Sequence, residues 1–246
     1  MGIVYLLIIL SLAAICLVLK TGGLHHSYLW LDLIYGWIPG ILGLLWAHIN
    51  KIKISLFLKF DRYFLVSISG GFFLGALSFF IGLQFCEVDV YGIVGTGNAF
   101  TYFFTYYVLF LFLFFISLLG GEICWRGYLW EMWKNDPYKG GGVILLLWSL
   151  WNAPLTIAYS KSPFEMFLHN LALMAILHLF RKKSQSIGPG TLFCSSLYAS
   201  FMYFQMLFYS SQVCYLNYHF VIQDALLLTT SGVFIILSRN TLPINK

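Results

Sequence analysis

The chain has 246 residues, of which 60% are hydrophobic and 9% are charged, with a formal net charge of +5. A soluble domain usually carries about 25% charged residues, so this composition excludes an ordinary water-exposed surface. Apolar runs of bilayer-spanning length recur along the chain, which predicts an all-α, polytopic integral membrane protein. The positive charge does not indicate nucleic acid as a partner, because the basic residues lie in short loops between apolar runs.

The apolar runs predict about eight transmembrane helices in one domain that covers residues 1–246. Their predicted limits are 3–19, 29–49, 63–84, 100–120, 142–160, 164–181, 188–211 and 216–238. The fourth is expected to continue as helix to about Lys134, where residues 135–137 break it before the glycines at 140–142. The first run lacks a charged start, so it is predicted to be a retained span rather than a removed signal.

The distribution of charge predicts the orientation of these spans. With the N-terminus on the cytoplasmic side, twelve Lys or Arg residues fall on that side and two, Lys20 and Lys161, fall on the other. Basic loops stay in the cytoplasm as a rule. The sequence therefore predicts a multi-pass protein with both termini in the cytoplasm.

Two charged residues lie at the end of the fourth apolar run. Residues 121 to 130 read Gly-Glu-Ile-Cys-Trp-Arg-Gly-Tyr-Leu-Trp. Glu122 and Arg126 are four residues apart, so they share one helix face in the favourable order. A charge at the centre of a membrane helix costs roughly 2.5–3.5 kcal/mol on insertion scales, and such charges usually mark a functional site. A self-neutralising pair at a helix end is the alternative interpretation.

Two further segments follow in the chain. Residues 148 to 154 read Trp-Ser-Leu-Trp-Asn-Ala-Pro, and residues 188 to 198 read Gly-Pro-Gly-Thr-Leu-Phe-Cys-Ser-Ser-Leu-Tyr. With the first segment, they resemble the CPBP family of type II CAAX prenyl proteases and bacteriocin-processing, Abi-like intramembrane proteases. The resemblance covers a core of about residues 100–212, with 1–99 as additional N-terminal helices. It implies membrane helices around a cavity open to the cytosol. The expected location is a bacterial plasma membrane, and the membrane of an organelle is the alternative.

The chain departs from the family pattern at most reactive positions. That pattern is Glu-Glu-x-x-x-Arg, then Phe-x-x-x-His, then His-x-x-x-Asn or Asp. The first motif has Gly121 in place of one Glu and retains Glu122 and Arg126. The positions of the two His residues and of the Asn or Asp are occupied, in order, by Asn152, Cys194 and Tyr198. A shift of one or two residues would replace Cys194 by a serine and would still supply no histidine.

The chemistry that the resemblance implies depends on the missing groups. In the family, a carboxylate and an imidazole activate water for peptide hydrolysis, and general-base catalysis is typically worth about 10²–10⁴-fold. The amide of Asn152 takes up no proton near neutral pH. A catalytic zinc needs three protein ligands, whereas the matching positions supply Glu122 and, as a second, Cys194. We therefore predict a degenerate, proteolytically inactive member without a cofactor; zinc would require a rewired site.

Other titratable residues could rebuild a site. His169 and His178 are nine residues apart on one span, which puts them on nearly opposite faces. His169 is the candidate for the core, whereas His178 is expected near the interface. Asp224 lies inside the last span and is expected to pair with a buried donor, for which Arg126 is the suggested residue. The remaining candidates lie outside the matching segments and are His48, His219 and Asp32.

Three functions remain open at this stage. The leading hypothesis is a non-catalytic membrane protein that binds a hydrophobic or lipidated peptide, or a membrane protein, with Asn152, Glu122 and Arg126 as polar anchors. The second is an active intramembrane endopeptidase in which Glu122 meets His169 or Cys194. The third is a transporter or channel, which intramembrane charges favour but for which the sequence lacks paired halves. The lipid bilayer is a partner in each case.

Overall fold

The computed structural model describes residues 8–9, 12–13, 16, 28–54, 62–84, 101, 103–158, 163–207, 222–230 and 232. These residues are helical apart from short turns and an irregular stretch at 52–54, and no strand occurs among them. The predicted all-α class is therefore confirmed. Most of the first predicted span, the connection at 85–99, His219 and the end of the last predicted span lie outside the described residues.

The described helices follow the predicted spans. Helix α1 is Tyr28–Ile49, α2 is Arg62–Leu83 and α3 is Phe103–Trp133. Helix α4 is Pro137–Ala158, α5 is Pro163–Ser184, α6 is Gly188–Leu207 and α7 comprises residues 222–230. The limits of α1 and α2 differ by at most one residue from the prediction. The number of about eight membrane crossings stays a prediction.

Helix α3 ends where the sequence predicts, and α4 begins earlier than expected. A turn at residues 134–136 separates the two helices. The Asp136 Oδ1 atom accepts a hydrogen bond from the Lys139 amide at 3.2 Å, and Pro137 is the first residue of α4. Aspartate before a helix and proline at its first position are both favourable starts. The glycines at 140–142 therefore lie inside the first turns of α4.

Helix α3 is not a uniform α-helix. It contains π-helical turns at Phe103–Tyr107 and Ile123–Tyr128, which flank the regular segment Val108–Glu122. The second π-helical turn directly follows Glu122 and contains Arg126. Such wide turns inside α-helices occur frequently at functional sites. The first motif therefore lies on a locally distorted part of the helix.

Small residues let the helices approach closely. A Cβ atom added to Gly120 on α3 would lie 2.7 Å from the Gly36 carbonyl oxygen on α1. A Cβ atom added to Gly75 on α2 would lie 2.6 Å from the Leu197 carbonyl oxygen on α6. Close backbone approach at small residues is typical of helix pairs in membranes. As a result, α1 packs on α3, and α2 packs on α6.

Two of the described helices, Arg62–Leu83 and Phe103–Trp133, are long and apolar enough to cross a membrane. A membrane span needs about 20 predominantly apolar residues. Their outer faces carry large apolar side chains with high exposure, such as Leu65, Phe73 and Phe112. These faces fit contact with lipid.

Candidate functional site

Glu122 and Arg126 form a buried ion pair on α3. The Arg126 Nη1 atom donates to Glu122 Oε1 at 2.5 Å. Arg126 is 1% exposed and Glu122 is 7% exposed. The prediction that these residues meet on one helix face is confirmed. The guanidinium of Arg126 therefore occupies one of the two oxygens of the Glu122 carboxylate.

Aromatic and sulfur groups enclose the guanidinium of Arg126. Its Cζ atom lies 4.4 Å from the centroid of the Trp148 ring, and its Nη2 atom lies 3.3 Å from the Met174 sulfur. Within the described part of the chain, the buried Nε atom has no hydrogen-bond partner. Trp148 occupies the Phe position of the second family motif. In this chain that position supplies a cation–π contact to the arginine.

Trp148 also lines a cavity of about 180 Å³. The lining residues come from α3 to α7 and are Leu118, Trp148, Asn152, Glu165, Met166, His169, Asn170, Tyr198 and Asp224. Among the described residues, Glu122, Arg126 and Cys194 do not line this cavity. The retained motif charges and the cavity are therefore distinct, and Trp148 takes part in both.

Three of the substituted motif positions, Asn152, Cys194 and Tyr198, separate into two groups. Asn152 and Tyr198 line the cavity. Cys194 is buried in an apolar cluster between α5 and α6. The N-terminal part of α6 approaches Glu122, because a Cβ atom added to Gly190 would lie 3.9 Å from Glu122 Oε2. No hydrogen bond joins Cys194 to Glu122 in the described part of the chain.

A hydrogen-bonded chain of three side chains forms one wall of the cavity. His169 Nδ1 lies 2.6 Å from Asp224 Oδ1, and His169 Nε2 lies 3.1 Å from the Tyr198 hydroxyl oxygen. With the proton on Nδ1, His169 donates to the carboxylate and accepts from the tyrosine. The suggested pairing of Asp224 with Arg126 is wrong, because Asp224 pairs with His169 and Arg126 pairs with Glu122. His169 likewise meets Asp224 and Tyr198 rather than Glu122.

The other histidine and aspartate candidates lie elsewhere. His178 packs edge-on against Trp130 with ring centroids 4.5 Å apart, away from the cavity-lining set. His48 is exposed at the end of α1. Asp32 lies on α1, but its side chain is outside the described part of the structure. Of these candidates, His169 is therefore the histidine that the structure brings to the cavity.

The motif residues present do not fit a metal ion. The positive guanidinium of Arg126 lies against the one retained carboxylate, and Asn152 stands at a position where the family has histidine. Across the described ranges, no group of three or more His, Cys, Asp or Glu side chains is arranged to hold a metal.

Sequence reasoning missed Asn170 and Glu165 as residues of the cavity wall. Asn170 Nδ2 donates to Ser149 Oγ at 3.3 Å, which links α5 to α4. Asn170 is buried, and a buried amide needs a hydrogen-bond partner. In the sequence, the polar pair His169-Asn170 inside an apolar span is the feature that could have indicated a polar cavity wall.

The helical fold and the two long apolar helices fit a membrane protein, and the buried Glu122–Arg126 pair lies in its longest helix. Residues 103–197, which are under half of the chain, match the family model described as type II CAAX prenyl endopeptidase Rce1-like. This segment is Rce1-like, and the resemblance found in the motifs is confirmed. The matched segment contains Glu122, Arg126, Asn152 and Cys194 and ends one residue before Tyr198. No curated protein matches the chain.

Proposed function

We propose that this Rce1-like membrane protein does not hydrolyse peptides at the family motif and instead binds a hydrophobic or lipidated peptide, or a membrane protein, in its cavity. The observation that carries the proposal is the separation of Glu122 from the cavity. Glu122 is paired with Arg126, and Arg126 is covered by Trp148. Trp148 and Asn152 line the cavity, whereas Glu122 is absent from its lining residues.

The residues at the substituted motif positions also support the absence of peptide hydrolysis. A general base must lie within hydrogen-bond reach of the water it activates. Asn152 reaches the cavity but takes up no proton, and Cys194 is buried away from the cavity lining. The motif positions therefore keep polar groups that can hold a ligand but do not supply a base to the cavity.

The size and lining of the cavity suggest how a ligand would bind. Pockets for drug-sized ligands measure about 300–1,000 Å³, so a cavity of about 180 Å³ fits one or two groups of a longer ligand. Leu118, Trp148 and Met166 form an apolar part of the wall, and Asn152 and Asn170 supply amides. An extended peptide could place an apolar side chain against the first set and its backbone against the amides.

The proposal also includes the location of the protein. Both termini would face the cytoplasm of a bacterial plasma membrane, since most Lys and Arg residues then fall on that side. Reporter fusions at residue 246 and within the predicted outer connection at 85–99 test this orientation. A cytoplasmic reporter should be active at the first position and inactive at the second. The reverse pattern would contradict the proposed topology.

The test of binding uses a photoreactive farnesylated peptide and the full chain in nanodiscs. Asn152→Trp fills the cavity, and Leu146→Trp places the same group on the same helix at an exposed position. We expect crosslinking to fall at least tenfold in Asn152→Trp and to stay unchanged in Leu146→Trp. Cleavage of the peptide, measured by mass spectrometry, should be absent from the wild-type chain. Equal crosslinking in both variants would reject the cavity as the binding site.

A second candidate function follows from the Asp224–His169–Tyr198 chain. An imidazole held by a carboxylate is the usual arrangement of a general base, and His169 lines the cavity. The chain could therefore be an active endopeptidase that uses His169 in place of the motif histidines. In that case the farnesylated peptide would be cleaved, and His169→Ala would abolish cleavage. If cleavage were abolished in Glu122→Ala protein that is shown to be folded, while His169→Ala still cleaved the peptide, the family motif itself would be active and both proposals would be wrong.

A further inference from the structure

We propose that a groove between α2 and α5 binds an anionic membrane phospholipid, with the headgroup phosphate at Arg62 and Lys183 and an acyl chain along the apolar wall. The groove has a volume of about 250 Å³. Its lining residues are Arg62, Tyr63, Val66, Ile176, Leu179, Phe180 and Lys183. The groove and the cavity at His169 share no lining residue. Lipid binding in the groove is independent of the proposed peptide binding.

The groove exists because α2 and α5 both pack on α6. Gly71 and Gly75 bring α2 against the α6 backbone. On the other side, the rings of Phe180 on α5 and Phe193 on α6 lie 5.7 Å apart. A Cβ atom added to Gly70 on α2 would also meet the Phe193 ring, at 3.6 Å. Phe193 therefore lies between the two helices, and the space outside it forms the groove.

The two basic residues stand at the same end of the groove. Arg62 is the first residue of α2, and Lys183 lies in the last turn of α5. Both residues are exposed. The Arg62 Nη2 atom donates to the Tyr63 hydroxyl at 3.2 Å, and its Cζ atom lies 5.1 Å from the Tyr63 ring centroid. Long basic side chains at membrane interfaces lay their aliphatic stems along apolar surface and keep their charged ends in the polar region, which is the arrangement that the proposal gives to Arg62 and Lys183.

The apolar wall continues from this charged end into the bundle. Val66 lies one turn beyond Arg62, and Ile176 lies seven residues before Lys183. At the helical rise, this wall extends roughly 10 Å from the charges. A free phosphate would use the cations and leave the apolar wall unused, whereas a phospholipid would use both. Basic pockets between membrane helices on the cytoplasmic side are known binding places for anionic headgroups.

The test measures lipid that stays bound to the full chain. The protein is purified in detergent and mixed with phosphatidylglycerol or phosphatidylcholine, and bound lipid is counted by native mass spectrometry. A basic residue near an anionic lipid surface contributes roughly a fivefold gain in binding. We therefore expect phosphatidylglycerol affinity to fall by roughly 25-fold in Arg62→Gln/Lys183→Gln. Phosphatidylcholine should bind more weakly to the wild-type chain.

Two further variants make the outcome decisive. Lys53→Gln/Lys182→Gln removes two exposed cations that do not line the groove and should leave phosphatidylglycerol affinity unchanged. Val66→Trp fills the groove without a change of charge, at a position that is 46% exposed, and should lower affinity at least fivefold. An equal loss in both charge variants would mean general surface attraction and would overturn the site. Unchanged affinity in Val66→Trp, or displacement of the lipid by inorganic phosphate alone, would overturn it as well.

Discussion

His169 and Asp224 are 55 residues apart in the chain, yet His169 Nδ1 lies 2.6 Å from Asp224 Oδ1. Tyr198 extends this contact through its hydroxyl group, 3.1 Å from His169 Nε2. The three residues come from α5, α7 and α6. Their hydrogen bonds therefore join three helices at the wall of the cavity and connect α7 to α5 and α6 through a polar contact.

Removal of the Asp224 carboxylate should weaken the contact of α7 with α5 and α6 and lower the stability of the protein. Asp224→Ala leaves a partly buried imidazole without its partner, and an unsatisfied buried polar group costs about 1–3 kcal/mol. We expect a lower thermal unfolding midpoint in detergent, together with faster proteolysis near α7. The matched control is Thr229→Ala, since Thr229 is exposed on the same helix. Equal midpoints for the two variants would contradict the described contact.

Removal of one partner of the Glu122–Arg126 ion pair should destabilise the protein more than replacement of both partners by apolar residues. Glu122→Ala leaves an uncompensated guanidinium that is 1% exposed, and the loss of one partner of a buried pair costs about 3–5 kcal/mol. Replacement of both charges by apolar groups of similar volume is often neutral or stabilising. We therefore expect Glu122→Ala to unfold at a clearly lower temperature than Glu122→Leu/Arg126→Met.

This comparison also separates structure from function. If the double variant retains the unfolding midpoint and the peptide crosslinking of the wild-type chain, the pair has only a structural role there. A double variant that is less stable than Glu122→Ala would show that the pair itself stabilises the bundle, contrary to expectation. Met132→Ala, an exposed change on the same helix, serves as the control for handling effects.

The sequence predicted the helices well because their limits depend on local features. Long apolar runs fix α1 and α2, and the residues before Pro137 end α3. The Glu122–Arg126 pair was also predictable, since spacing of four residues on one helix decides it. The His169–Asp224 pair was not, because its formation depends on how α5 and α7 rotate and dock. Apolar residues are spread around α5 without a distinct face, so their periodicity does not give its rotation.

The close contact of α2 with α6 predicts a sharp effect of one added methyl group. In Gly75→Ala, the new Cβ would lie 2.6 Å from the Leu197 carbonyl oxygen, so the two backbones must move apart. Overpacking of this kind typically costs about 1–3 kcal/mol. Gly142→Ala is the matched control, because a Cβ there meets nothing within 4 Å. Alanine at that position should be harmless or slightly stabilising, by up to about 1 kcal/mol.

Thermal unfolding midpoints of Gly75→Ala and Gly142→Ala, measured in the same detergent, test this prediction. We expect a clear decrease for Gly75→Ala and none for Gly142→Ala. Because the lipid groove depends on the packing of α2 against α6, Gly75→Ala should also weaken phosphatidylglycerol binding. A decrease of the same size in both variants would show that helix propensity, rather than close packing, decides the effect.

Trp148 should stabilise the fold mainly through its cation–π contact with the guanidinium of Arg126. The Arg126 Cζ atom lies 4.4 Å from its ring centroid, and a desolvated cation–π contact is worth about 2 kcal/mol. Trp148→Phe retains a weaker contact of this kind and Trp148→Leu retains none, so the midpoints should fall in that order. The effect of Trp148→Leu should then shrink in the Glu122→Leu/Arg126→Met background, where no cation remains. A double-mutant cycle measures this coupling, and a coupling near zero would mean that Trp148 acts by filling space alone.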